Sequence, residues 1–195
     1  MSEVEAISWE RIHGALSAAL QPIVDLQTDS VHGYEACMRG PEGAHHLPAA
    51  LLSLAQRDGC LLQLEQSACA AAMRAFVRQQ LGGALFINVS PASLIEPALQ
   101  QGLLRCASEI GLAAPRLVIE LTEQQMFEDY ARLRGAILAC RNLGFRVALD
   151  DLGAGYAGLR AWSELQPDYV KVDRYFVDQI DRDAAKRGFF GSILE

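Results

Sequence analysis

Val147-Ala148-Leu149-Asp150-Asp151-Leu152-Gly153-Ala154-Gly155 runs three apolar residues straight into two acids and a glycine turn. Consecutive rather than alternating apolar positions are what a strand needs when both of its faces are covered. Upstream the same arrangement appears twice, in Leu85-Phe86-Ile87-Asn88 and Leu117-Val118-Ile119-Glu120. Downstream, Tyr169 to Val172 carries Lys171 and is followed by Asp173. Two earlier strand candidates, Ala19 to Leu26 and Val31 to Met38, flank the polar turn Gln27-Thr28-Asp29-Ser30, which reads as an antiparallel hairpin. Apolar residues at helical spacing fill most gaps between strands: Leu47 to Ala55, Leu61 to Leu81, Met126 to Leu143 and Phe176 to Leu194. Strand alternating with helix predicts a parallel sheet, as a barrel or a doubly wound fold. In a parallel barrel the C-terminal strand ends open onto one face, where barrel enzymes place their chemistry.

Composition narrows the function classes. With 195 residues, 51% of them hydrophobic, and 7 prolines, the chain has the makeup of one globular domain able to bury a core. A formal net charge of −7 argues against a sequence-independent nucleic-acid binder, which needs a basic surface. Cys37, Cys60, Cys69, Cys106 and Cys140 form no CxxC pair and mostly sit inside apolar runs, as free thiols in a reducing cytoplasm would. No apolar run approaches the ~20 residues of a membrane span, so no membrane segment is expected here.

The polar residues at the strand ends suit a hard divalent cation. Asn88, Glu120, Asp150 and Asp151, joined by Glu35, offer oxygen ligands of the kind that Mg²⁺ or Mn²⁺ takes. Clustered carboxylates repel one another unless metal or protons neutralise them. Two ions roughly 3.5–4 Å apart would activate a water and stabilise the leaving oxygen of a phosphodiester, with Lys171 orienting the nucleophile and Arg39 clamping a phosphate. Each residue also has a plainer role, as a helix cap, turn former or solvated strand end. Their recurrence at one end of successive strands favours the joint reading. Adjacent His45 and His46 are read as loop residues, and Trp162 as packing beneath the glycine loop rather than stacking on a base.

Gln21-Pro22-Ile23-Val24, Tyr34-Glu35-Ala36-Cys37-Met38-Arg39, Phe86-Ile87-Asn88-Val89-Ser90-Pro91, Ile119-Glu120-Leu121-Thr122-Glu123, Asp150-Asp151-Leu152-Gly153-Ala154-Gly155-Tyr156 and Val170-Lys171-Val172-Asp173 together resemble the EAL domain, in order and spacing, from about Ser8 to Glu195. The resemblance implies a modified TIM (β/α) barrel with an antiparallel first strand, hydrolysing cyclic di-GMP to linear pGpG. It implies metal ligands at Glu35, Asn88, Glu120, Asp150 and Asp151 for Mg²⁺ or Mn²⁺, two ions in all. Catalytic roles fall to Lys171, Glu35 and Asp150, and substrate contacts to Arg39, Gln21 and Asp173. Glu123 would hold the loop from Gly153 to Gly158 and support a homodimer, and a sensory or GGDEF domain would be fused or partnered in a bacterial cytoplasm.

Cys37 and Leu152 replace the family's usual Leu and Phe, and Ala154 a commoner Thr; such swaps pack rather than react. The chain is expected to be the N-terminal three-quarters of the domain, with about six of eight strands. The family pattern continues with a Glu-Gly-Val-Glu motif and a later Gln, and neither follows here. Three function classes follow: the hydrolase, a non-catalytic receptor or interaction module using the same rim, and another metal-dependent barrel acting on a small phosphorylated substrate.

Overall fold

The computed structural model describes residues 8–122, 129–153 and 158–194. Helix α1 (Trp9–Ala15) starts at Ser8, whose side chain accepts from the Arg11 N–H. Strands β1 (Ser17–Asp25) and β2 (Ser30–Arg39) then pair antiparallel. Asp25 holds their turn, its Oδ1 accepting from the backbone N–H groups of Gln27 and Thr28 at 2.8 and 3.2 Å. This is the expected hairpin, built on an aspartate side chain that mimics a backbone turn.

Helices α2 (Pro48–Arg57) and α3 (Leu61–Arg78) lead to β3 (Ala84–Val89). Helices α4 (Pro91–Leu94) and α5 (Pro97–Glu109) lead to β4 (Leu117–Thr122), and α6 (Tyr130–Asn142) to β5 (Arg146–Leu152). Helix α7 (Gly158–Leu165) precedes β6 (Tyr169–Val172), and α8 (Arg174–Val177) and α9 (Ala184–Leu194) follow it. From β2 to β6 neighbouring strands are parallel, and the six-stranded sheet has the order β1-β2-β3-β4-β5-β6. A doubly wound sheet reverses its strand order at the middle, and this one does not.

Strand β6 lies four places from β2, which in a flat sheet is about 19 Å at roughly 4.8 Å per strand. Yet Lys171 on β6 contacts Glu35 on β2 at 2.7 Å, and the rings of His32 and Tyr169 lie 5.6 Å apart. The sheet is therefore curled as in a barrel. Its convex face carries Leu85, Ile87, Leu117, Ile119, Val147 and Leu149, buried against Met73, Phe76, Leu103 and Ile137 of the helices. Its concave face is filled by Phe86, Val118 and Ala148, with Ile23 and Tyr169 against them. Burial on both faces is the physical reason for the uninterrupted apolar triplets.

The expected helix from Phe176 to Leu194 is two helices. The first stops at Val177, and Asp183 starts α9 afresh, its Oδ1 accepting from the N–H groups of Ala185 and Lys186. Helix α6 begins at Tyr130, with Asp129 as its cap, while Met126 to Glu128 of the expected helix lie outside the described residues. Helices α1, α4, α5 and α7 were not expected from periodicity; α4 and α5 each carry proline in their first turn. All five cysteines are free, and no helix among the described residues is long and apolar enough to cross a membrane.

Gly83 closes the approach of β3 to β2. Its φ is +70°, and a Cβ there would lie 2.3 Å from the carbonyl oxygen of His32. Gly83→Ala should lower unfolding free energy by about 2 kcal/mol or more, from overpacking and a strained backbone. Gly82→Ala, with open space around the added atom, should stay within roughly 0.5 kcal/mol of the parent in urea titrations.

Candidate functional site

Side chains two residues apart on a strand share a face. Beyond the concave apolar layer, the next residue on each strand is therefore fixed: Asn88 after Phe86, Glu120 after Val118, Asp150 after Ala148, and Lys171 after Tyr169. Glu35 joins from β2, where it pairs in register with Phe86. Lys171 Nζ lies 2.7 Å from Glu35 Oε2, 2.9 Å from Glu120 Oε1 and 3.1 Å from Asp150 Oδ1. One oxygen from each of the three acids falls within 4.8 Å of the others. Asn88 Nδ2 donates to Glu35 Oε1 at 3.3 Å, which leaves its own carbonyl oxygen available as an acceptor.

Glu120 is fully buried, and neither of its oxygens has a hydrogen-bond partner among the described residues; its approach to Lys171 is a charge contact without hydrogen-bond alignment. Burial pushes its carboxyl up to about 7, Glu35 and Asp150 add to the rise, and Lys171 opposes it. For Lys171, burial disfavours the charge, but Glu120, Glu35 and Asp150 outweigh it and raise the ammonium pKa. Lys171 is therefore a cation and a donor at neutral pH. One ammonium facing three carboxylates leaves negative charge uncompensated, and unpaired buried oxygens are costly. Hard oxygen donors in this state fit a divalent cation such as Mg²⁺, Mn²⁺ or Ca²⁺.

The remaining expected residues are placed less uniformly. Asp151 is not among the three converging acids. The β5–β6 register shifts between Leu149 and Leu152, and Asp151 takes a left-handed φ of +57°, which turns it from the strand's alternation. Burial first, then Asp150 and Asp173, raises its pKa. Asp173 caps α8, accepting from the Tyr175 N–H at 2.7 Å. Arg39 turns back to donate to the Met38 carbonyl at 2.9 Å. Gln21 sits exposed on β1 opposite Glu35. Glu123 lies outside the described residues, as do Ala154 to Ala157 of the glycine loop. Trp162 packs against the core, and His46 Nδ1 meets the Gly40 carbonyl oxygen at 3.2 Å, closing its own loop.

A cavity of about 360 Å³ lies beside the cluster, lined by Glu35, Arg39 and Asn88 together with Leu52, Glu65 and Cys69. Its walls come from α2 and α3, to which sequence reading assigned no part of the site. The available signal was Glu65, an acid between apolar Leu64 and Cys69 on a helix face otherwise buried.

The EAL domain family model matches residues 5–195. The chain belongs to the EAL domain family. Among curated relatives, the probable cyclic di-GMP phosphodiesterase PdeG of Escherichia coli (strain K12) is 29% identical over 94% of this chain, which spans 37% of PdeG. The manganese and cyclic di-GMP complex of Klebsiella pneumoniae BlrP1 at pH 9.0 superposes with a TM-score of 0.82 and 30% identity, over 92% of this chain and 45% of BlrP1. A standalone EAL protein of Vibrio cholerae O395, in its c-di-GMP-bound form, gives 0.82 at 26% identity, over 92% of this chain and 75% of that one. These EAL structures share the curled sheet described above.

The buried acid of this EAL domain has a thermodynamic signature. A carboxyl raised from 4.5 to about 7 stabilises the fold below its unfolded pKa, and that contribution is lost as pH rises through 7. Glu120→Gln should therefore be more stable than the parent at pH 8 without metal, by on the order of 3 kcal/mol. The gap should close below about pH 5 in chemical denaturation.

Proposed function

We propose that this EAL domain is a metal-dependent phosphodiesterase that opens cyclic di-GMP to linear pGpG. The observation that carries the reading is the convergence of Glu35, Glu120 and Asp150 on Lys171 at the ends of the strands, with Glu120 buried and its charge contact with Lys171 shared with the other two acids. The names of PdeG and of the BlrP1 complex support the substrate class and a divalent cation.

In this reading Glu35, Asn88, Glu120, Asp150 and Asp151 hold two ions, Mg²⁺ or Mn²⁺. When bound, such ions polarise the phosphodiester and lower the pKa of water at neutral pH. The protein's own groups do the rest. Lys171, kept charged by its carboxylate neighbours, donates a hydrogen bond that orients the attacking water and offsets charge on the phosphorane-like transition state. One of Glu35 and Asp150 takes the single proton the water loses as its oxygen bonds to phosphorus, and the ester oxygen released as the other phosphorus–oxygen bond breaks takes a proton from solvent. Arg39, exchanging its bond to Met38 for a phosphate oxygen, clamps the substrate, with Gln21 and Asp173 as further contacts. Glu123 holds the loop after the two aspartates, in a homodimer that works in the bacterial cytoplasm beside a sensory or GGDEF domain.

Incubation with cyclic di-GMP and Mn²⁺ should yield pGpG by chromatography, and chelator should abolish it. Lys171→Met should retain nucleotide binding and lose roughly 10²–10⁴-fold in kcat. Intact cyclic di-GMP with retained binding would replace the hydrolase by a receptor, and product formation indifferent to chelator would exclude the metal-dependent mechanism.

A further inference from the structure

We propose that Glu65 is a positioning residue for the cation-holding rim, acting through Ser90 on Asn88; this rests on the metal-dependent reading above. Glu65 lies on α3, outside the barrel wall, with 6% of its surface exposed. Both of its oxygens are engaged by one residue: Ser90 N–H donates to Oε1 at 3.1 Å and Ser90 Oγ to Oε2 at 3.0 Å. Burying a carboxylate is costly, and a leucine or glutamine would fill the same space, so packing alone gives no reason for an acid here. What an acid supplies is two acceptors in a fixed fork, and Ser90 uses both.

Ser90 is in turn the cap of α4, its Oγ accepting from the Ser93 N–H at 3.2 Å. The strand end is thus gripped on one side by α3 and on the other by α4. Asn88 lies two residues before this grip, with buried Val89 between, and pairs in register with Glu120. Its own side chain is exposed and bonds to Glu35. Little else orients it, so where the backbone leaves β3 decides where the amide points. Glu65 and Asn88 also line one cavity with Glu35, which places the clamp directly behind the rim.

Groups that orient metal ligands cost about 10–100-fold in metal affinity when removed. The test is Mn²⁺ affinity by electron paramagnetic resonance for the parent, Glu65→Ala, Asn88→Ala and the double variant, with thermal unfolding of each. Glu65→Ala should weaken Mn²⁺ binding at least tenfold, and should add nothing once Asn88 is alanine. Glu65→Gln keeps an acceptor for the Ser90 N–H and should restore affinity to within about threefold of the parent. Ser90→Ala, which removes the Oγ bond to Glu65 from the other partner, should weaken Mn²⁺ binding in the same direction and reads the same cycle with Asn88→Ala should Glu65→Ala fail to fold. Unchanged Mn²⁺ affinity in Glu65→Ala, or in Ser90→Ala where Glu65→Ala does not fold, or an undiminished loss in the Asn88→Ala background, would overturn the inference while leaving the proposed function standing. A parent protein that takes up no Mn²⁺ would overturn both.

Discussion

The ammonium of Lys171 stands within 3.1 Å of carboxylates from three other strands, and nearly every feature of the fold can be referred to the need to keep them there. Like charges brought so close repel by several kcal/mol at interior dielectric values, so they assemble only where a rigid frame imposes it. That frame is the curled sheet. Its concave apolar layer of Phe86, Val118, Ala148 and Tyr169 sets the height of the next row, and the next row is the site. Its convex face, buried under helices, supplies the hydrophobic stabilisation that outweighs the repulsion.

The cost of the site is visible in its local geometry. Glu120 is fully buried with no hydrogen-bond partner among the described residues and only a charge contact with Lys171, a placement that a core selected for stability alone would avoid. Asp151 holds a left-handed backbone, and Gly153 one turn on has φ +101° with its α-carbon tight against the Phe176 ring, where a Cβ would come within 2.4 Å. Strain of this kind persists where surrounding structure over-determines it, and it gathers at binding sites. Phe176, itself stacked on Phe189 at 4.3 Å, ties the segment after the two aspartates to the helices that follow β6.

Much of this was legible in the sequence because two periodicities reinforced one another. Leu117-Val118-Ile119 followed by Glu120 states both that a strand is covered on each face and that its end is polar, and three strands repeat the statement. The hairpin was legible from its turn residues. The break between α8 and α9 was not, because α8 stops at Val177 and Asp183 starts α9 while Val177, Ile180 and Ala184 keep helical spacing across the gap. Asp151 was read as an equal member of the cluster, and the register shift beside it, which no local pattern encodes, sets it apart. Arg39 was read as a phosphate clamp, and its turn back to the Met38 carbonyl depends on side-chain freedom that sequence does not carry. Glu65 escaped notice since its partner, Ser90, is brought to it only by the packing of α3 on β3.

A divalent cation held among Glu35, Glu120 and Asp150, as we propose for this EAL domain, would be visible in diffraction. Crystals of the protein soaked in Mn²⁺ at neutral pH and measured at the manganese absorption edge test it directly. The account predicts an anomalous peak within coordination distance of oxygens from Glu35, Glu120 and Asp150, with Lys171 displaced from its present contacts. A map with no peak there, and Lys171 still bonded to Glu35, would contradict it.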